Sequence, residues 1–191
     1  QSPDQDDNGD MDEVYSQKGV EHPDWVKDAV IYEINIRQFS QEGTFKGVEQ
    51  DLPRLDELGV DILWFMPIHP IGQLNKKGEM GSYYSVKDYQ AVNPEFGTME
   101  DFKSLVNSAH EMGLKVIIDW VPNHSAWDNP LAEEHPEWYV KDESGEFVSP
   151  FDWTDVIQFD YDNRELREYM KESMIFWIEE ANIDGFRFDV A

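Results

Sequence analysis

Hydrophobic and polar positions along this chain switch between two periods. Residues 29–39 form an aromatic and β-branched run closed by the polar stretch Ser40-Gln-Glu-Gly43, which predicts a first strand. From Val48 to Leu58 the apolar positions Val48, Leu52, Leu55 and Leu58 recur at helical spacing, with Pro53 tolerable in a first turn and Gly59 as the stop. Residues 60–68 read as a strand apolar on both faces, as in a parallel sheet covered by helices. A helix over Met99–Met112 follows, with Thr98 as cap, Asp101 three residues on and Gly113 at its end. Residues 114–121 are the third strand, and the helix Asn163–Ala181 carries Leu166, Met170, Met174 or Ile175, Trp177 and Ile178 on its apolar side. Residues 184–191 are the fourth strand.

Between the third strand and the last helix lie Pro122, Pro130, Pro136 and Pro150, in a stretch too long for an ordinary connection. Residues 122–160 are therefore read as an inserted small subdomain, flanked by 23–121 and 161–191 of one main body. Alternating strands and helices with short returns imply right-handed crossovers and a parallel sheet. Four such strands open either a doubly wound fold or half of a closed eight-stranded barrel. No glycine-rich phosphate loop follows the first strand, and ionisable residues gather at carboxyl ends of strands, which favours the N-terminal half of a (β/α)8 barrel.

Those strand-end residues are the candidate chemistry. In Gly185-Phe-Arg-Phe-Asp-Val190, strand alternation sets Arg187 and Asp189 on one face and Phe186, Phe188 and Val190 on the other. A guanidinium beside a carboxylate favours the ionised acid, the form a nucleophile needs. Taken alone, the same two residues favour a structural ion pair, because such pairs are common and shift pKa values without doing chemistry.

The two motifs Asp119-Trp-Val-Pro-Asn-His124 and Gly185-Phe-Arg-Phe-Asp189, with Gly81-Ser-Tyr-Tyr-Ser-Val-Lys-Asp-Tyr89 and Asn93-Pro-Glu-Phe-Gly97 before them, resemble signature regions of the α-amylase family, family 13 of the glycoside hydrolases. The resemblance runs from about Trp25 to Ala191. It implies that Asp189 is the catalytic nucleophile and that Arg187 orients it. It also implies substrate-side roles for three others: Asp119 orients its strand end, His124 hydrogen-bonds the sugar beside the scissile bond, and Tyr84 stacks on that sugar. A pyranose offers an apolar C–H face that an aromatic plane can cover. Asn123 corresponds to a residue that gives its side-chain oxygen to a structural calcium in many members, with Asp160 as candidate second ligand. Calcium takes six to eight oxygens, so an asparagine that only hydrogen-bonds is the alternative. No organic cofactor is implied. The implied reaction is retaining hydrolysis of α-1,4-glucans such as starch and maltodextrins, with α-glucosidase and glucanotransferase activities as alternatives within the family. A noncatalytic relative that binds glucan or protein is the alternative from another class.

The family's general acid, a glutamate after strand five, has no counterpart in these 191 residues, and the sequence ends inside its fourth-strand motif. The expectation is an incomplete fragment, inactive by itself. Composition narrows the partners. A formal charge of −26 disfavours nucleic acid phosphates and anionic membranes, and no apolar run is long enough for a transmembrane helix. Residues 1–22 are acidic and nearly free of core-forming side chains, which predicts a disordered leader. A start at Gln1 and such a tether suit an extracellular or periplasmic protein, lipid-anchored in one variant of that reading, and the absence of cysteine neither supports nor forbids export.

Overall fold

The computed structural model describes residues 23–190; the expected leader over 1–22 and the last residue, 191, lie outside them. A 3-10 turn at Asp24–Asp28 leads into β1 (Ile31–Ile34), the one-turn helix α1 (Ile36–Phe39), α2 (Phe45–Glu57), β2 (Ile62–Phe65), α3 (Met99–Glu111) and β3 (Lys115–Trp120). Then come β4 (His124–Ala126), α4 (Leu131–Glu134), a 3-10 turn at Pro136–Trp138, β5 (Val156–Gln158), α5 (Arg164–Ala181) and β6 (Gly185–Phe188).

β1, β2, β3 and β6 form one parallel sheet in sequence order, while β4 and β5 pair antiparallel in a separate two-stranded sheet. A doubly wound sheet would reverse its strand order at a switch point. Here the order never reverses, which is the layout of strands one to four of a (β/α)8 barrel with an insertion after strand three. The register sorts the side chains. Ile34, Leu63, Phe65, Val116 and Ile118 share one face and are fully buried against Val48, Leu52 and Leu55 of α2, Phe102, Leu105 and Val106 of α3 and Trp177 of α5. Each such side chain contributes about 1.5–3 kcal/mol through its removal from water. The opposite face, which becomes the lumen of a barrel, carries Glu33, Trp64, Ile117, Asp119 and Arg187.

Several elements differ from their sequence expectation. The first strand stops at Ile34, because β2 offers partners only as far as Phe65, and the remaining apolar run turns into α1. Helix α2 starts at Phe45, with the Thr44 hydroxyl accepting from the Gly47 amide, so Pro53 sits in its interior and not in its first turn. The buried stripe of α5 is Leu166, Met170, Ser173, Trp177 and Ala181, whereas Ile175 and Ile178 are exposed. Helix α3 follows the expected punctuation: Thr98 and Asp101 exchange both bonds of a capping box.

The long connection between β2 and α3 is held against the insertion. Ile71 and Val86 bridge antiparallel, and Gly72 lies so close to β4 that an added Cβ would stand 2.4 Å from the Ala126 Cβ. Lys87 pairs with Asp128 at 2.9 Å, and the same carboxylate accepts the Gln73 amide. This clamp fixes the segment that carries Tyr84.

Candidate active site

The site begins with a cross-strand register. Asp119 on β3 stands directly opposite Arg187 on β6, and both point to the lumen face. Arg187 Nη1 lies 3.0 Å from Asp119 Oδ1 and 2.7 Å from Asp189 Oδ1, so one nitrogen bridges two carboxylates. The Asp189 amide donates to the Trp120 carbonyl at 2.8 Å, which carries the ladder one step past β6 and fixes where that carboxylate emerges. Behind the guanidinium, the Trp64 ring lies 4.9 Å from Arg187 Cζ.

A third chain segment closes the group. The Tyr84 hydroxyl donates to Asp119 Oδ2 at 3.1 Å. His124 opens β4, and its Nδ1 lies 3.1 Å from the Asn123 side-chain nitrogen. The Tyr89 hydroxyl lies 2.9 Å from the Val121 carbonyl and 2.7 Å from that of His124, pinning the backbone between β3 and β4. The His124 ring meets the edge of Trp153 at 5.4 Å.

Burial raises the Asp119 carboxyl above its ordinary range, while the Arg187 and Tyr84 bonds oppose that shift. Burial alone would disfavour the Arg187 charge, but its bonds to Asp119 and Asp189 outweigh it and the guanidinium pKa rises. Tyr84 is pushed upward by burial and then by Asp119, so it stays protonated and donates. His124 is lowered, chiefly by burial and partly offset by Asp189, which favours a neutral ring.

A cleft of about 390 Å³ opens over this group, walled by Lys77, Tyr84, His124, Trp153, Asp155 and Asp189 among others. Tyr84, His124, Arg187, Asp189 and Asp119 thus converge at the carboxyl ends of adjacent strands. Asp119 differs from the rest: it is fully buried and holds Arg187 and Tyr84 from beneath instead of facing the cleft.

Sequence reading missed three participants. Trp64 faces the lumen and supports Arg187; the strand period gave its face but not its neighbour. Lys77 and Asp155 form a 3.2 Å ion pair on the cleft wall, and nothing local in either sequence neighbourhood signals a partner so distant along the chain. Of the tryptophans in the insertion, Trp153 reaches the cleft while Trp138 packs in the core and stacks on His135. His69 is buried among Tyr89, Trp120 and Trp177, and His110 pairs with Asp184 at 2.7 Å, both away from the cleft.

Asn123 and Asp160, the two candidate calcium ligands, lie on segments that meet. The Phe159 amide donates to the Asn123 carbonyl, which brings Asp160 near, and Asp160 Oδ1 accepts the Asp162 amide. Arg167 and Lys171 line the same depression as Asn123, which disfavours a cation there. Among the described residues no three His, Cys, Asp or Glu side chains gather to hold a metal.

Comparison with known proteins bears on the whole arrangement. The family described as alpha amylase, catalytic domain, matches residues 3–135 and 126–191. The chain belongs to the α-amylase family. An α-amylase structure from Lactobacillus plantarum is 46% identical with a TM-score of 0.84, over 87% of this chain and 39% of that one. Alpha-amylase 3 of Dictyoglomus thermophilum is 33% identical over 87% of this chain and 37% of its own length. Trehalose-6-phosphate hydrolase of Bacillus subtilis is 32% identical over 90% of this chain and 36% of its own length. The chain therefore spans well under half the length of these α-amylase family relatives. The names of these relatives carry different substrates.

Proposed function

We propose that this chain supplies the nucleophile side of a retaining α-glycosidase acting on α-1,4-glucans such as starch and maltodextrins. One observation carries the reading: Asp189 lies in a cleft wall with its Oδ1 2.7 Å from a guanidinium that a buried aspartate and a tryptophan face hold in place. A preorganised carboxylate of this kind suits nucleophilic attack, because its orientation costs nothing further at the moment of reaction.

In the first step an Asp189 carboxylate oxygen attacks the anomeric carbon as the glycosidic C–O bond breaks. The leaving oxygen takes a proton from a second carboxyl group, contributed by a later strand end of the family barrel. In the second step water attacks the same carbon, that second group now accepts the water's proton, and the bond to Asp189 breaks. The anomeric configuration is retained. Asp119 is a poor candidate for the acid, since it is sealed beneath Arg187 and engaged at both oxygens. Tyr84 and Trp153 give the cleft apolar faces for a sugar ring, and the His124 ring in the same wall can hydrogen-bond a ring hydroxyl. Arg187 and Asp119 act as positioning groups.

The experiment is reducing-sugar release from starch by the full-length protein and by its Asp189→Asn variant. The variant is expected to lose at least about a thousandfold in kcat with its glucan affinity largely kept. Full turnover in Asp189→Asn would remove the assignment. Parallel assays on maltose and trehalose 6-phosphate test the substrate choice, with starch expected as the preferred substrate.

A further inference from the structure

Beyond the sugar that meets Asp189, the cleft wall continues into an aromatic pair whose geometry local chain preferences do not account for. Trp153 lines the cleft and touches the His124 ring edge at 5.4 Å. On its other side the Phe151 ring lies 4.8 Å away at 54°, and Phe151 is 80% exposed. Large apolar side chains at that exposure are ordinary when scattered singly. This one packs against a ring that lines the cleft.

Its backbone is equally unusual. Phe151 has φ +53, at the first central position of a turn closed by the Trp153 amide on the Pro150 carbonyl at 3.1 Å. Positive φ at that position favours glycine, asparagine or aspartate, and a phenylalanine there is strained. Strain combined with full exposure points away from folding as the reason for the residue, since the ring buries little and the backbone would relax with glycine. The two residues that follow the turn are anchored from several sides. Lys77 Nζ lies 3.2 Å from Asp155 Oδ1, the Trp127 indole donates to the Thr154 carbonyl at 3.0 Å, and the Ser85 hydroxyl donates to the Asp155 carbonyl at 3.1 Å. The exposed ring is thus presented on a fixed support.

We propose that Phe151 and Trp153 form an outlying platform that stacks on a glucose unit of an α-glucan chain remote from the bond being cleaved. The proposal rests on the glycosidase reading and deepens it: the substrate is an oligosaccharide or polymer long enough to reach past the His124 subsite, in preference to a disaccharide. The occupant follows from chemistry and position. A pyranose C–H face suits two tilted rings, an anionic or nucleic acid chain is opposed by the protein's net charge of −26, and Trp153 of the pair lines the cleft where the sugar binds.

The test uses the full-length protein with Asp189→Asn to prevent turnover, titrated with maltose and with maltoheptaose by calorimetry. Phe151→Asn and Phe151→Gly both suit the positive φ, so neither threatens the turn. In each, affinity for maltoheptaose is expected to fall about five- to tenfold more than affinity for maltose, and Phe151→Trp is expected to retain the long-chain preference. Trp153 fluorescence should respond to maltoheptaose in the parent and less in Phe151→Gly. Equal loss for both sugars, or no loss for either, overturns the platform while leaving the glycosidase reading standing. Failure of the parent to bind any α-glucan overturns both.

Discussion

Arg187 illustrates how single residues set this site. One of its nitrogens reaches Asp119 and Asp189 together, and its plane lies against Trp64. The face shared by Arg187 and Asp189 was legible from strand alternation, and the motif resemblance brought Tyr84, Asp119 and His124 into the same neighbourhood. What alternation could not provide was depth: Asp119 is read as a substrate-side group in sequence but lies beneath its partners in space. A second residue gives a measurable consequence. His69 is fully buried and its pKa falls to about 4 from an ordinary 6.5, because burial disfavours the imidazolium more than the Ala91 carbonyl and Asp88 favour it. Between those values the unfolded chain binds the proton that the folded protein refuses, so stability rises with pH across that window. The contribution is complete above pH 6.5 and is lost progressively as pH falls to about 4, amounting to about 3 kcal/mol. Urea midpoints measured across this range should show that slope, and His69→Gln should flatten it; an unchanged slope in the variant would assign the titration elsewhere.

At the scale of elements, ends were more legible where a side chain fixes them than where a neighbour does. Thr98, Asp101 and Asn163 mark helix starts that the structure keeps, through a capping box on α3 and a double acceptance by the Asn163 side chain on α5. Thr98→Ala should cost about 1 kcal/mol in chemical denaturation, with a loss under about 0.3 kcal/mol contradicting the cap's contribution. The end of β1 was not legible, because the length of β2 decides it and nothing in the apolar run over 29–39 announces that limit. The face of α5 shifted for a related reason. Ser173 and Ala181 are small enough to let the helix approach its neighbours, so the buried stripe runs through them and leaves Ile175 and Ile178 exposed. The clamp between the β2 connection and the insertion was also invisible in sequence, since its contacts, such as Lys87 with Asp128, join distant segments.

Across the whole molecule, strand order and charge are the dominant features. Four parallel strands in sequence order bring their carboxyl ends to one rim, and a half-barrel is enough to gather Asp189 and its supports there. The net charge of −26 comes from 41 acidic against 15 basic side chains, so the folded state carries unfavourable self-repulsion at low salt. Raising NaCl from about 0.01 to 1 M shortens the screening length from about 30 to 3 Å. The thermal midpoint of the protein is expected to rise by a few degrees over that range, and a midpoint that falls would show that local ion pairs outweigh the repulsion.

The central claim concerns one bond, between Asp189 and an anomeric carbon. Incubating the full-length protein with a 5-fluoro-α-glucosyl fluoride, which slows release of the glycosyl group, and mapping the adduct by peptide mass spectrometry tests it most directly. The added mass is expected on the peptide containing Asp189, at that residue. An adduct on another carboxylate, or hydrolysis that yields the inverted anomer without any adduct, would contradict the account.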